Sequence, residues 1–237
     1  MASSRQLIDT LALLDQIQSG GRIVRNSYSY DMDIMMQAAG QFAMRRAGCF
    51  VVDDDNRFLY ENLFRWLAGD PDCCCLSPSD RHTVIRADLS AGIYVAGPTG
   101  TGKTLAIQLL CDLARLYKPQ IQHYDKVKPL VWNEFRADDI VEMFRRGEEP
   151  TWLPTAPILA IHDLGSEPPE AVNMGNRQNV VRQILERRAD GCTMTIITSN
   201  FPMCHDMVKS IYGDRVQSRL MSMCNYFELG GPDRRRR

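Results

Sequence analysis

An α/β fold, built on a five-stranded parallel sheet covered by helices, is what this sequence predicts, and three observations predict it. Five apolar runs fall in the later two-thirds of the chain: "GIYVAG" (92–97), "PLVWNEF" (129–135), "PILAIHDL" (157–164), "TMTIITSN" (193–200) and "NYFEL" (225–229). Stretches with helical apolar spacing separate them, and strands that alternate with helices make parallel sheets buried on both faces. Between the first run and the first of these helices stands a glycine-rich loop, "GPTGTGKT" (97–104), which fits the phosphate-loop pattern GxxxxGK[ST].

The elements follow in order. Residues 5–18 carry Leu7, Ile8, Leu11, Leu14 and Ile17 at helical spacing, and "SGG" at 19–21 ends them. Residues 31–46, with Ile34, Met35, Ala38, Phe42 and Ala43, read as a second helix stopped by Gly48. "CFVV" (49–52) reads as a short strand or an extended entry. In the next helix Asp53 to Asp55 supply a cap, Phe58, Leu59, Leu63, Phe64 and Leu67 an apolar face, and Gly69 and Pro71 a stop. Beyond the phosphate loop, helices are predicted over 103–117, 136–147, 175–191 and 205–222. This divides the chain into a helical N-terminal segment, 1–50, and a nucleotide-binding core, 51–237.

Composition narrows the classes of function. The chain has 237 residues, 44% apolar and 24% charged, which is ample for one sizeable core. A net charge of −1 gives no field that marks the whole molecule for nucleic acid. No apolar run reaches membrane-spanning length and the start "MASSRQLIDT" is no secretory leader, so a cytoplasmic protein with reduced thiols is expected. "CCC" at Cys73 to Cys75 reads as loop thiols, because three adjacent residues cannot all face one ion.

The phosphate loop carries the chemistry. Gly97, Gly100 and Gly102 let the backbone turn tightly and approach phosphate oxygens. The successive N–H groups of Thr99, Gly100, Thr101 and Gly102 and the helix start at Lys103, Thr104 and Leu105 make an anion cradle, to which Pro98 contributes no donor. Lys103 neutralises the β- and γ-phosphates, and Thr104 offers a hydroxyl to Mg²⁺. "ILAIHDLGSE" is the one later apolar strand that ends in a carboxylate, so Asp163 is the candidate for metal or water, and Glu167 could also face the γ-phosphate. Asn200, at the tip of "TIITSN", can orient an attacking water. Arg215 and Arg219, four apart, share one helix face and can reach a neighbouring subunit's nucleotide. The final "RRRR" is either a grip on DNA phosphates or a solvated end.

Taken in order, "AGIYVAGPTGTGKT", "ILAIHDLGSEP", "TIITSN" and "YGDRVQSRL" resemble the AAA+ ATPases of the DnaC/DnaI helicase-loader and IstB transposition-helper group, over roughly residues 50–237. The resemblance implies an AAA+ P-loop NTPase core without a C-terminal lid domain. It implies Asn200 as the sensor-1 residue, Arg219 as arginine finger with Arg215 beside it, and residues 135–149 near single-stranded DNA. It implies ATP and Mg²⁺ as ligands, ATP-dependent homo-oligomers, and a replicative DNA helicase as partner; the N-terminal helices, outside the resemblance, are the candidate surface for that partner by their position and amphipathicity. A transposition-helper ATPase and a nucleotide-switched scaffold with weak hydrolysis are the other readings. The resemblance departs at His162, which stands where the group usually has the metal-side aspartate. An imidazole lacks the charge a carboxylate gives Mg²⁺. Three outcomes stay open: Asp163 serves metal and water alone, Glu167 assists, or hydrolysis is weak and binding suffices.

Overall fold

The computed structural model describes residues 23–123, 126–148, 151–173, 176–191 and 193–236; the expected helix over 5–18 lies outside them. The central sheet has seven strands in the order β3-β2-β12-β4-β11-β8-β7. Five are the predicted parallel set: β4 (Gly92–Ala96), β7 (Asn133–Arg136), β8 (Ile158–Leu164), β11 (Met194–Ser199) and β12 (Cys224–Glu228). The other two, β2 (Cys74–Leu76) and β3 (Val84–Arg86), extend the β12 edge antiparallel. The strand count therefore exceeds the expected five by an edge hairpin. Cys73 to Cys75 belong to that hairpin and its approach, not to a loop, with Cys73 and Cys75 buried.

Alternation along β4 divides the core. Ile93 and Val95 face helices α1 (Met32–Ala47), α2 (Arg57–Ala68) and α3 (Lys103–Tyr117), in a layer with Leu63, Trp66 and Leu110. Tyr94 and Ala96 face the layer of α4 (Ala137–Arg145), α5 (Val180–Asp190), α6 (Asp206–Tyr212) and α7 (Asp214–Met223). Trp66, Phe64, Leu63 and Leu67 of α2 have no exposed surface, and each such burial stabilises by about 1.5–3 kcal/mol. Helix α1 joins this layer through Met35, Ala39 and Ala43. No helix among the described residues is long and apolar enough to cross a membrane.

Local chemistry moved several expected boundaries. The run 129–135 is not one strand. Pro129 closes β6 (Lys126–Pro129), which pairs with β5 (Gln120–His123) in a small separate sheet with β1 (Val24–Arg25), and β7 begins at Asn133. The helix expected from 175 starts at Val180, because Asn179 caps it by accepting from the Arg182 N–H at 2.9 Å. Before it, β9 (Ala171–Asn173) and β10 (Asn176–Gln178) form a hairpin. The helix expected over 205–222 is two helices, α6 and α7, broken at Gly213, whose φ of +85° an L side chain rarely adopts. Asp53 does not cap α2. Asn56 holds that position and accepts the Asp53 N–H at 2.9 Å.

Sheet order places the site. The chain leaves β4 through α3 and crosses to the far edge at β7, whereas from β11 it runs the other way to β12, so the connections after β4 and β11 part in opposite directions. Crevices at such switch points bind ligands in open α/β sheets.

Candidate functional site

A cavity of about 780 Å³ opens at that point. Its floor is the phosphate loop. Gly100 and Gly102 have φ of +85° and +100°, so side chains there would be strained, and α3 begins at Lys103 directly behind them. Thr99 to Leu105 all line the cavity. Gly97 and Pro98 take part through their carbonyls, which accept from Lys103 Nζ at 2.8 Å each. A third bond runs from Lys103 to Asn200 Oδ1 at 3.0 Å. Burial lowers the Lys103 pKa, Asp163 raises it, and Arg235 adds to the lowering. A phosphate oxygen is a stronger acceptor for this ammonium than the neutral oxygens that now hold it.

Strand ends hold the floor rigid. The Gly97 N–H donates to Ser199 O at 3.2 Å. The Ser199 hydroxyl donates to Leu164 O at 2.7 Å and accepts from the Phe201 N–H at 3.1 Å. Tyr94 donates its hydroxyl proton to Phe201 O at 2.9 Å. Asn200, between these anchors, is thereby fixed over the loop.

The end of β8 departs from a regular strand. From Ile161 to Leu164 it advances three residues while β11 advances two, from Ile197 to Ser199. That one-residue bulge puts Asp163 at φ +56°, a left-handed conformation that aspartate tolerates better than most residues. The Asp163 N–H donates to Thr198 Oγ1 at 3.1 Å. Its carboxylate lines the cavity, as Thr104 does, and pairs with Arg136 at 3.1 Å. Arg136 also holds Asp138 at 3.0 Å.

His162 lies elsewhere. It is 4% exposed and does not line the cavity. Its Nδ1 is 3.4 Å from Thr198 Oγ1 and its Nε2 is 3.7 Å from Glu134 Oε2. The side chain at this position packs between β7 and β11, so the imidazole does not stand among the cavity's ligands. Glu167 also stays out of the cavity. It is 5% exposed, accepts from the Gly165 N–H at 2.8 Å and from the Tyr212 hydroxyl, and burial raises its pKa. Its carboxylate staples the turn after β8 to α6 instead of facing phosphates.

Arg219 pairs with Asp190 at 2.6 Å and donates to Glu186 O at 3.1 Å, while Arg215 is exposed. Neither lines this cavity. The structure thus brings together the phosphate loop, Asp163 and Asn200, and keeps Glu167, Arg215 and Arg219 apart from them. Sequence reading missed the opposite wall, Cys49 to Val51 with Asn56 and Tyr60, and the cations Arg136, Arg234 and Arg235. Arg136 carried no motif, and "RRRR" was read as a grip on DNA or a solvated end, not as a wall of this cavity; "CFVV" was apolar enough to notice but gave no hint of a ligand.

The residues present fit a magnesium-bound nucleoside triphosphate. A loop of positive-φ glycines opens onto a cavity with a buried ammonium, and Thr104 and Asp163 add the oxygen donors that a hard cation takes. Fold and loop together define the class, an α/β phosphate-loop fold. Among solved structures the chain is similar to DnaI, with a TM-score of 0.53 at 17% identity over 88% of this chain and 96% of that one. It is similar also to a primosome component from Streptococcus pyogenes serotype M3, with a TM-score of 0.52 at 15% identity over 78% of this chain and 85% of that one. No family profile matches the sequence, and no curated protein matches it.

Proposed function

We propose that this chain binds ATP with Mg²⁺ in the cavity at the end of β4, and hydrolyses it while loading a replicative DNA helicase onto single-stranded DNA. One observation carries the reading: the phosphate loop with buried Lys103, Asp163 and Asn200 converge on a single cavity of about 780 Å³. In this reading Gly97 to Leu105 cradle the phosphates, Lys103 neutralises them, and Thr104 and Asp163 hold the metal. Bound Mg²⁺ supplies charge neutralisation at the phosphates. Asp163 also polarises the attacking water, and Asn200 orients it. Arg219, with Arg215 beside it, serves a neighbouring copy's nucleotide, which makes ATP the trigger of self-assembly. Residues 135–149 meet the DNA strand, and the N-terminal segment 1–50 meets the helicase. The partner class is supported by the sequence resemblance and by structural likeness to a primosome component. The setting is cytoplasmic.

A second reading has its own observation. Asp163 is paired with Arg136, and a chain whose only cavity-lining carboxylate among the described residues is so held would switch on ATP binding and hydrolyse slowly. Both readings are tested by ATP affinity and turnover, with and without single-stranded DNA, for wild type and Lys103→Ala. Loss of binding in Lys103→Ala is expected. Binding untouched by that change would remove the site assignment. Turnover stimulated by DNA favours the loader, and binding without turnover favours the switch.

A further inference from the structure

We propose that the C-terminal tail is a wall of the nucleotide cavity and that Arg235 is a phosphate-binding residue supplied in cis. The inference rests on the reading of the cavity as a nucleotide site. The tail leaves β12 alongside β4, where the Leu229 N–H donates to Ala96 O at 2.8 Å. It then crosses the phosphate loop. The Arg234 N–H donates to Gly100 O at 2.9 Å, and the Asp233 carboxyl group lies so near Gly100 that a Cβ there would stand 2.3 Å from it. A side chain at position 100 would have to push that carboxyl group aside and would itself be strained at φ +85°.

A second tie holds the tail from the other side. The Arg234 guanidinium makes two parallel bonds to Asp53, at 2.7 and 2.9 Å, across 181 residues of sequence. Their side chains are 16% and 30% exposed, so solvent screens this pair less than a surface one. Asp53 stands two residues beyond Val51 of the apolar wall of the cavity, so the tail is fastened both to the floor and beside that wall.

Charge then decides what Arg235 is for. Among the described residues the cavity is lined by Arg46, Lys103, Arg136, Arg234 and Arg235 against one carboxylate, Asp163. Arg46 is answered by Asp112, Arg136 by Asp138 and Asp163, and Arg234 by Asp53. Lys103 rests on neutral oxygens, and Arg235 makes no ion pair among the described residues. Two cations without an ion-pair partner among the described residues therefore face one concave space, where Lys103 feels the charge of Asp163 and, more weakly, that of Arg235. A ligand with several negative charges relieves that repulsion, and the phosphate chain of a nucleotide is such a ligand.

The test is titration of the full chain with a fluorescent ATP analogue at about 0.1 M salt. Arg235→Gln should weaken binding roughly tenfold with the melting temperature of the free protein unchanged, and Arg235→Lys should stay within about threefold of wild type. Asp53→Asn should weaken binding by undocking the tail, and the exchange Asp53→Arg with Arg234→Asp should restore it. If Arg235→Gln and Asp53→Asn both bind like wild type while Lys103→Ala does not bind, the tail is no part of the site and the site stands. If Lys103→Ala also binds like wild type, the site itself is wrong. If Arg235→Gln loses affinity for single-stranded DNA and keeps it for ATP, the tail is a DNA contact and the inference is overturned.

Discussion

At the phosphate loop the functional charge of Lys103 rests on three neutral oxygens, whereas at the end of β8 the charge of Asp163 rests on the opposite charge of Arg136. An incoming phosphate improves on what Lys103 has, because a charged acceptor replaces neutral ones. A metal ion must instead share or displace Arg136 to reach Asp163. Arg136 is 54% exposed and Asp163 26%, so the pair contributes about 0–1 kcal/mol and is displaceable. The binding half of the cavity is thus open to its ligand, and the hydrolytic half carries a light restraint.

The sharpest way to break this contrast is Asp163→Asn. ATP affinity should stay within about threefold, while turnover falls at least about 100-fold, a general-base loss. A fall of less than about tenfold would move hydrolysis to another residue. Next comes His162→Asp. At a position 4% exposed and beside Glu134, a second carboxylate should lower stability by roughly 2–3 kcal/mol in urea unfolding, without raising turnover. A variant as stable as wild type and faster in hydrolysis would show that this side chain belongs to the cavity after all. The smallest effect is expected for Arg136→Ala. Freeing Asp163 should raise turnover by up to about fivefold, in line with an exposed pair. Unchanged or lower turnover would mean that Arg136 does not restrain the carboxylate.

What the sequence disclosed and what it hid have physical reasons. Strands β4, β8, β11 and β12 were readable because burial on both faces demands continuous apolar runs, as in "GIYVA", where all five residues are buried, whereas β7, an edge strand of mostly polar residues with none buried, was placed too early. The phosphate loop was readable because glycine, lysine and threonine are required at fixed spacing. The hairpin of β2 and β3 was not, since three residues are too few for alternation and Val84 to Arg86 are all exposed. The break between α6 and α7 was hidden because Tyr212 and Val216 keep helical spacing across Gly213. Within the site, Asp163 and Asn200 were legible as strand-end polar residues. Arg136 and the tail were not, because their roles depend on contacts with residues 27 and 181 positions away, Asp163 and Asp53. The inward turn of His162 was equally hidden, because a bulge leaves no mark on composition.

That bulge gives β8 two reading frames. Up to Ile161 the strand follows one alternation, with Leu159 and Ile161 on the α5 side and Ile158 and Ala160 on the α3 side. After it the alternation is displaced by one place, so that Leu164 returns to the α5 layer. An acidic pair placed by counting from the apolar run and one placed by counting back from Gly165 land on different residues. Swapping this strand end for that of a relative would therefore transplant the side chains and lose their directions unless the extra residue travels with them.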